Sequence, residues 1–185
     1  MSDTAFTSAV QAATVPTIGD PLHGGGQGVA TLLRQLVIAT GADTVVECGA
    51  RLVLPVAEAL RANGRGRVVV CEAPGVRVAK AGAALEQAGL AAYGSLLNVG
   101  AGEMLTAVPG PVDLLVLGGP PARFLPVLRL LEPRMLPGAV VVADGVHEMF
   151  EPATEFLRHV RDAGNGYVSL PLALGRGLEI AVRST

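Results

Sequence analysis

The sequence predicts an α/β protein with a mainly parallel sheet of about seven strands, helices on both faces and an antiparallel hairpin at the C-terminal end. Short apolar runs alternate with segments of helical periodicity, which is typical of parallel βα units. The runs are apolar at nearly every position, as expected for strands buried on both faces. No helical pattern separates Tyr167–Pro171 from Leu178–Val182, so these two runs are expected to pair as a hairpin.

The composition is that of one globular domain with a sizeable core. The chain has 185 residues, of which 50% are hydrophobic and 16% are charged. Residues 1–25 are expected to be a flexible N-terminal segment ended by the glycines at 24–26, and residues 26–185 a single domain.

Charge and hydropathy exclude several partners. A net charge of −2 gives no electrostatic reason to expect nucleic acid. We expect no membrane span, because no run of about 20 apolar residues occurs. With no evident signal peptide and only two cysteines, the expected location is the cytoplasm. Lys80 is the one lysine among 14 basic residues, an arginine bias associated with GC-rich bacterial genomes.

The first half of the domain is predicted from periodicity and from glycine stops. Apolar residues recur at helical spacing up to Thr40, and Gly41 ends that helix. The elements that follow are a strand at Val45–Cys48, a helix at Val53–Ala62 closed by Asn63-Gly64, a strand at Arg67–Cys71, a helix at Val76–Gln87 and a strand at Ser95–Val99.

The second half continues the alternation with shorter connections. It is predicted as a short helix at Glu103–Val108, a strand at Val112–Leu117, a helix at Phe124–Leu131, a strand at Ala139–Ala143 reached through Pro137-Gly138, a helix at Glu151–Ala163 and the terminal hairpin.

Two neighbouring strands end in carboxylates. Thr-Val-Val-Glu-Cys-Gly at Thr44–Gly49 places Glu47 before a glycine, and Glu72 follows the next strand. Ligands of open α/β sheets bind at the carboxyl ends of the strands, and glycine there lets backbone approach the ligand. This pattern suits a ligand that carries an amine and a ribose.

The chain resembles the class I S-adenosylmethionine-dependent methyltransferases, and more narrowly the small O-methyltransferases of the catechol and caffeoyl-CoA type. The resemblance runs from about Gln27 to Arg183. It rests on the order and spacing of several segments: Val45–Gly49, Arg67–Glu72, Leu85–Leu90, Val112–Leu115, Leu130–Gly138, Val142–Val146 and the ending from Leu170 to Arg183.

The resemblance implies a Rossmann-like methyltransferase fold, S-adenosylmethionine as cofactor and methyl transfer to an oxygen or nitrogen of a small molecule. Glu72 would accept the ribose hydroxyls, and Glu47 would order the loop backbone or accept from the methionine amine. The full set of expected cofactor-binding residues is Glu47, Cys48, Gly49, Ala50, Glu72, Ala73, Gly100, Ala101 and Gly118.

The chain departs from this family where metal and base would lie. The family's Asp-Ala-Asp-Lys after the fourth strand is Gly118–Pro121 here, and its Asp-Asn after the fifth strand is Asp144-Gly145. One carboxylate is a poor Mg²⁺ site, so we expect no metal. The family's glycine-rich first loop is here Ala50–Val53. This favours an alternative in which the fold is retained for a non-catalytic or different role; a nucleotide-binding Rossmann protein is a more distant alternative, because its glycine spacing is missing.

Asp144 and His147 are the candidate catalytic residues, as groups that orient or deprotonate the acceptor. The plainer alternatives are a helix N-cap for Asp144 and an exposed loop position for His147. Cys48 and Cys71 end neighbouring strands and are interpreted as buried thiols, with a redox or metal pair as the alternative. The sequence leaves the oligomeric state open, with a homodimer as one candidate.

Overall fold

A computed structural model describes residues 25–72, 75–97, 107–108, 110–147 and 150–185 of the chain. Five α-helices and seven strands occur in these ranges. The strands are β1 (Thr44–Cys48), β2 (Arg67–Cys71), β3 (Gly94–Leu97), β4 (Leu114–Leu117), β5 (Val140–Asp144), β6 (Tyr167–Leu172) and β7 (Leu178–Arg183). The helices are α1 (Gly25–Thr40), α2 (Val53–Asn63), α3 (Gly75–Gln87), α4 (Phe124–Leu131) and α5 (Phe150–Arg161).

All seven strands form one sheet in the order β3-β2-β1-β4-β5-β7-β6. The first five are parallel, whereas β7 runs antiparallel to both β5 and β6. The predicted parallel core and terminal hairpin are therefore confirmed.

The sheet separates two cores, which explains why its strands are apolar at consecutive positions. Side chains such as Val46 and Leu115 pack with α4 and α5 on one face. Their neighbours Val45 and Leu114 pack with α1 to α3 on the other face. Because successive residues of a strand point to opposite faces, both sets must be hydrophobic.

Helix α1 corrects one expectation about the glycines near the N-terminal end of the domain. They were expected to break the chain, but α1 begins at Gly25 and continues through Gly26 and Gly28. A Cβ on Gly28 would lie 2.7 Å from Cδ1 of Leu174, so glycine there permits close packing against the β6–β7 turn. The buried side chains of Val29 and Leu33 pack in the α1–α3 core and offset the low helix propensity of glycine.

Other predicted boundaries differ by a few residues, and some lie outside the described ranges. Strand β4 begins at Leu114 rather than Val112, and β3 at Gly94 rather than Ser95. The expected end of β3 at Val99, most of the helix predicted at Glu103–Val108, and residues 1–24 are outside the described residues. Within the described parts of the chain, no helix is long and apolar enough to cross a membrane.

Candidate functional site

The carboxyl ends of β1, β2, β4 and β5 lie along one edge of the sheet, and the candidate site residues cluster there. The register pairs Cys48 with Cys71 and with Leu117, so the loops after these three strands are neighbours. Asp144 ends β5 at the same edge. The parallel arrangement thus brings together the residues that the sequence analysis singled out in separate segments.

The loop after β1 is in close backbone contact with the loop after β4. Gly49 has φ +132°, and a Cβ there would lie 2.8 Å from the carbonyl carbon of Gly118. The Gly118 amide donates to the Cys48 carbonyl at 2.8 Å. Gly49 is therefore required by the turn and by this contact, because a side chain would collide with backbone.

Ala50 is the one non-glycine residue with positive φ among the described residues, at 52°. A β-carbon in this left-handed region costs about 1–2 kcal/mol. The strain lies where the resembling family has a further glycine. The replacement of the family's glycine by Ala50 thus keeps the tight turn and adds a side chain to it.

Glu47 is fully buried behind this loop and binds its backbone. Its Oε1 accepts hydrogen bonds from the amides of Arg51 at 2.7 Å and Leu52 at 2.6 Å, directly before α2 begins. Its Oε2 is also buried and has no hydrogen-bond partner among the described residues. The carboxylate thus binds the backbone of this loop, while its two predicted roles in a cofactor site stay predictions.

Burial raises the pKa of Glu47 to about 7 from its ordinary value of 4.5. The two backbone hydrogen bonds act in the opposite direction, and the charge of Glu72 raises the pKa a little further. Near neutral pH this side chain therefore exists in both protonation states.

Glu72 lies at the end of β2, with its side chain 8% exposed. Its Oε1 is 3.3 Å from Nη2 of Arg77, the third residue of α3. A carboxylate can accept about four hydrogen bonds, and its two oxygens suit the two hydroxyls of a vicinal diol. The neighbouring candidate Ala73, together with Gly100 and Ala101, is outside the described residues.

The two cysteines match the interpretation as buried thiols. Burial raises the pKa of Cys71 to about 12 and that of Cys48 well above its usual value, the latter also through the neighbouring Cys71 and Glu47. They do not form a disulfide bond, and Cys71 is buried whereas Cys48 is only partly buried. The thiolate form that redox chemistry and metal binding require is disfavoured at both positions.

Asp144 and His147 meet the β6–β7 turn at residues 173–177. Nη2 of Arg176 donates to Oδ2 of Asp144 at 2.8 Å. The His147 ring lies against Gly177, where a Cβ would overlap it. The described partner of Asp144 is Arg176, so the alternative role of Asp144 as a helix N-cap gains no support. Arg176 was not among the residues predicted for the site. The signal that could have identified it is a basic residue within a glycine-rich hairpin turn.

His159 on α5 is half-buried in a polar cluster. Its Nε2 is 2.7 Å from Oε1 of Glu132, which also accepts from the hydroxyl of Tyr167 at 3.0 Å. Tyr167 begins β6, which runs parallel to β5, so the cluster lies at the opposite edge of the sheet from Asp144. It ties α5 to the hairpin and takes no part in the candidate site.

No protein-family model matches the sequence, and no curated protein sequence matches it. Solved structures do match it over nearly the whole chain. A candidate O-methyltransferase from Klebsiella pneumoniae is 19% identical with a TM-score of 0.78, over 98% of this chain and 97% of that one.

Two further matches contain the cofactor or its product. The Bacillus cereus O-methyltransferase in complex with SAH is 19% identical with a TM-score of 0.72. TomG from Streptomyces achromogenes, an O-methyltransferase involved in tomaymycin synthesis and in complex with SAM, is 20% identical with a TM-score of 0.73. Each covers 100% of this chain, and 92% of each matched chain is covered. This chain therefore has the fold of the class I S-adenosylmethionine-dependent O-methyltransferases.

Proposed function

We propose that this protein is an S-adenosylmethionine-dependent methyltransferase that acts on an oxygen of a small molecule. The observation that carries the proposal is Glu72, a buried carboxylate at the end of β2 beside the tight loop after β1. Two carboxylate oxygens suit the two vicinal hydroxyls of a ribose. The matched structures with bound SAM and SAH support the choice of cofactor.

S-adenosylmethionine would supply a methyl group bonded to a positively charged sulfur. The acceptor oxygen would bond the methyl carbon with its own electron pair while the carbon–sulfur bond breaks, which releases S-adenosylhomocysteine. The protein's part is to hold the two reactants in line and to exclude water. His147 is the candidate for taking the acceptor's proton, because it is exposed at the end of β5. Asp144 holds Arg176 and so orients the group beside the acceptor.

The residues present do not fit a divalent metal. Gly118, Gly119, Pro120 and Gly145 offer no side-chain oxygen, and the carboxylate of Asp144 is paired with a guanidinium. In the described parts of the chain, no three His, Cys, Asp or Glu side chains are grouped to hold an ion. We therefore propose metal-independent transfer, in which a chelator leaves turnover unchanged; turnover lost to the chelator and restored by Mg²⁺ would contradict it.

Calorimetric titration of the full chain with S-adenosylmethionine and S-adenosylhomocysteine tests the cofactor. We expect micromolar dissociation constants. Glu72→Ala should weaken both by about tenfold to a hundredfold, since it removes one or two charge-assisted hydrogen bonds. Glu86→Ala, at an exposed position on α3, is the matched control and should bind as the wild type does. An unchanged dissociation constant for Glu72→Ala would refute the ribose assignment.

One observation favours the alternative of a non-catalytic member of the fold. The amides of Arg51 and Leu52 donate to Glu47 and are therefore engaged within the protein rather than presented to a methionine carboxylate. The same titrations decide between the two, because this alternative predicts no heat of binding with either nucleoside.

The base role is tested with His147→Ala and Asp144→Asn, measured separately as S-adenosylhomocysteine released with a panel of phenolic and carboxylic acceptors. General-base assistance is worth about 10²–10⁴-fold, so His147→Ala should lower turnover by at least about tenfold with cofactor binding intact. If neither variant lowers turnover by that much, positioning alone must account for transfer.

A further inference from the structure

An open pocket of about 370 Å³ lies where the loop after β5 meets the β6–β7 turn. It is lined by His147, Ala173, Gly175, Arg176 and Gly177. The pocket adjoins the carboxyl end of β5, at the edge of the sheet that carries the candidate cofactor residues. Its position is thus suited to the second reactant of a transfer reaction.

Backbone contacts make this pocket rigid. The amides of Gly145 and Val146 both donate to the carbonyl of Gly177, at 2.9 and 3.2 Å. Gly145 and Gly177 have φ values of +89° and +87°, and a Cβ at either would crowd Arg176 or His147. A side chain is therefore disfavoured by backbone conformation at both positions, and at Gly177 also by the space that His147 occupies.

Arg176 lines the pocket, and the Asp144 carboxylate that pairs with it is more deeply buried. Arg176 lines the pocket and its side chain is 35% exposed, whereas the Asp144 side chain is 11% exposed. The ion pair at 2.8 Å holds the guanidinium beside Asp144. A fixed guanidinium can bind a planar oxyanion through parallel N–H groups.

We propose that this pocket binds an acceptor that bears a carboxylate, and that Arg176 recognises the carboxylate while His147 faces the same molecule. The inference rests on the proposed function and adds the class of its acceptor. The glycine and alanine lining leaves room for an aromatic or short aliphatic body next to the charged group. Asp144 is a positioning residue, because it acts through Arg176.

The test uses two probes of equal size and different charge, 4-hydroxybenzoate and 4-hydroxybenzamide. Their dissociation constants are measured with the full chain by calorimetry, both without cofactor and with S-adenosylhomocysteine. We expect the acid to bind at least about tenfold more tightly than the amide, as a charge-assisted bidentate pair requires. Arg176→Gln should lose this preference with the affinity for the amide unchanged, and Arg176→Lys should lose part of it.

Two further variants keep the test decisive. Arg129→Gln, on the exposed side of α4, is the matched control and should keep the full preference. If Arg176→Gln does not fold, Asp144→Asn/Arg176→Gln removes both charges together and takes its place. Three results would overturn the proposal. The two probes could bind with equal affinity, or the acid could fail to bind up to 10 mM (about −3 kcal/mol). The third such result is a preference for the acid that survives the loss of Arg176.

The cofactor titrations separate this inference from the proposed function. Selectivity for the acid in a protein that binds no S-adenosylmethionine would keep the carboxylate pocket and reject methyl transfer. Cofactor binding without selectivity for the acid would keep the proposed function and reject the carboxylate pocket.

Discussion

At the scale of single residues, Glu47 combines complete burial with an incomplete set of hydrogen bonds. Oε1 has two amide donors, and Oε2 has no hydrogen-bond partner in the part of the chain that the structure describes. A buried carboxylate in this state is more readily accommodated when it is protonated. The residue that orders the loop after β1 is therefore also one whose charge depends on pH near neutrality.

This predicts a pH-dependent difference between the wild type and Glu47→Gln. The folded pKa, about 7, is above the ordinary value of 4.5, so the folded protein binds more protons between these values. The contribution of Glu47 is fully present below pH 4.5 and is lost as the pH rises through 7, by at most about 3 kcal/mol. Urea unfolding at several pH values from 4.5 to 8 measures it. Parallel curves for the two proteins would contradict the prediction.

At the scale of elements, the hairpin is anchored to α5 by a buried charge. The Glu179 side chain on β7 is fully buried and accepts from Arg161 at 2.8 and 2.6 Å and from Ser169 at 2.6 Å. Arg161, near the end of α5, is 41% exposed. These polar contacts therefore hold the helix and the two antiparallel strands together at the border between the apolar core and the solvent.

Arg161→Ala should lower the free energy of unfolding by about 2–3 kcal/mol, below the usual range for a buried pair because Arg161 is partly exposed. The loss arises because Glu179 stays buried without its partner. Adding Glu179→Met to Arg161→Met should recover most of that loss, which a double-mutant cycle by chemical denaturation would measure.

Arg158→Ala, at an exposed position one turn earlier, is the control and should change stability by less than about 0.5 kcal/mol. Additive effects of the two Met substitutions would show that the pair is not coupled.

Element boundaries show where local pattern was sufficient and where it was not. Strand β2 was predicted at its observed limits, because its apolar run is flanked by polar residues and by Gly66. The start of helix α1 at Gly25 was not predicted, because its first turn is stabilised by contact with distant residues such as Leu174. Local helix propensity does not include such contacts. The strand-end carboxylates were visible in the sequence, whereas Arg176 was not selected, since only the fold brings residue 176 to residue 144.

At the scale of the whole molecule, the candidate cofactor site spans the centre of the sheet. Its residues come from the ends of β1 and β2 and from the loop after β4, and these strands are adjacent in the order of the sheet. A ligand that contacts all of them should stabilise the folded protein as a unit. The order of the strands could not be predicted from periodicity, because the pattern of a buried strand does not specify its neighbours.

S-adenosylhomocysteine at about 100 times its dissociation constant should stabilise the folded chain by about 2.7 kcal/mol. For a protein of this size, this corresponds to an increase in the unfolding midpoint of about 5–10 °C. Thermal unfolding followed by circular dichroism measures the shift. Adenosine without the amino-acid part should give a smaller shift; no shift with either compound would contradict the cofactor proposal.

The fit between Gly145 and Arg176 also limits how this site could change by mutation. Any side chain at 145 would place its Cβ 3.2–3.3 Å from the guanidinium and would have to adopt φ +89°. At 118, by contrast, a Cβ would meet its nearest neighbour at 3.6 Å, an ordinary contact. Aspartate at 118 would therefore need no rearrangement of its neighbours, whereas asparagine at 145 would require the Arg176 guanidinium to shift. Such a shift would in turn disturb the ion pair between Arg176 and Asp144, so a change at 145 also affects the group that Asp144 holds.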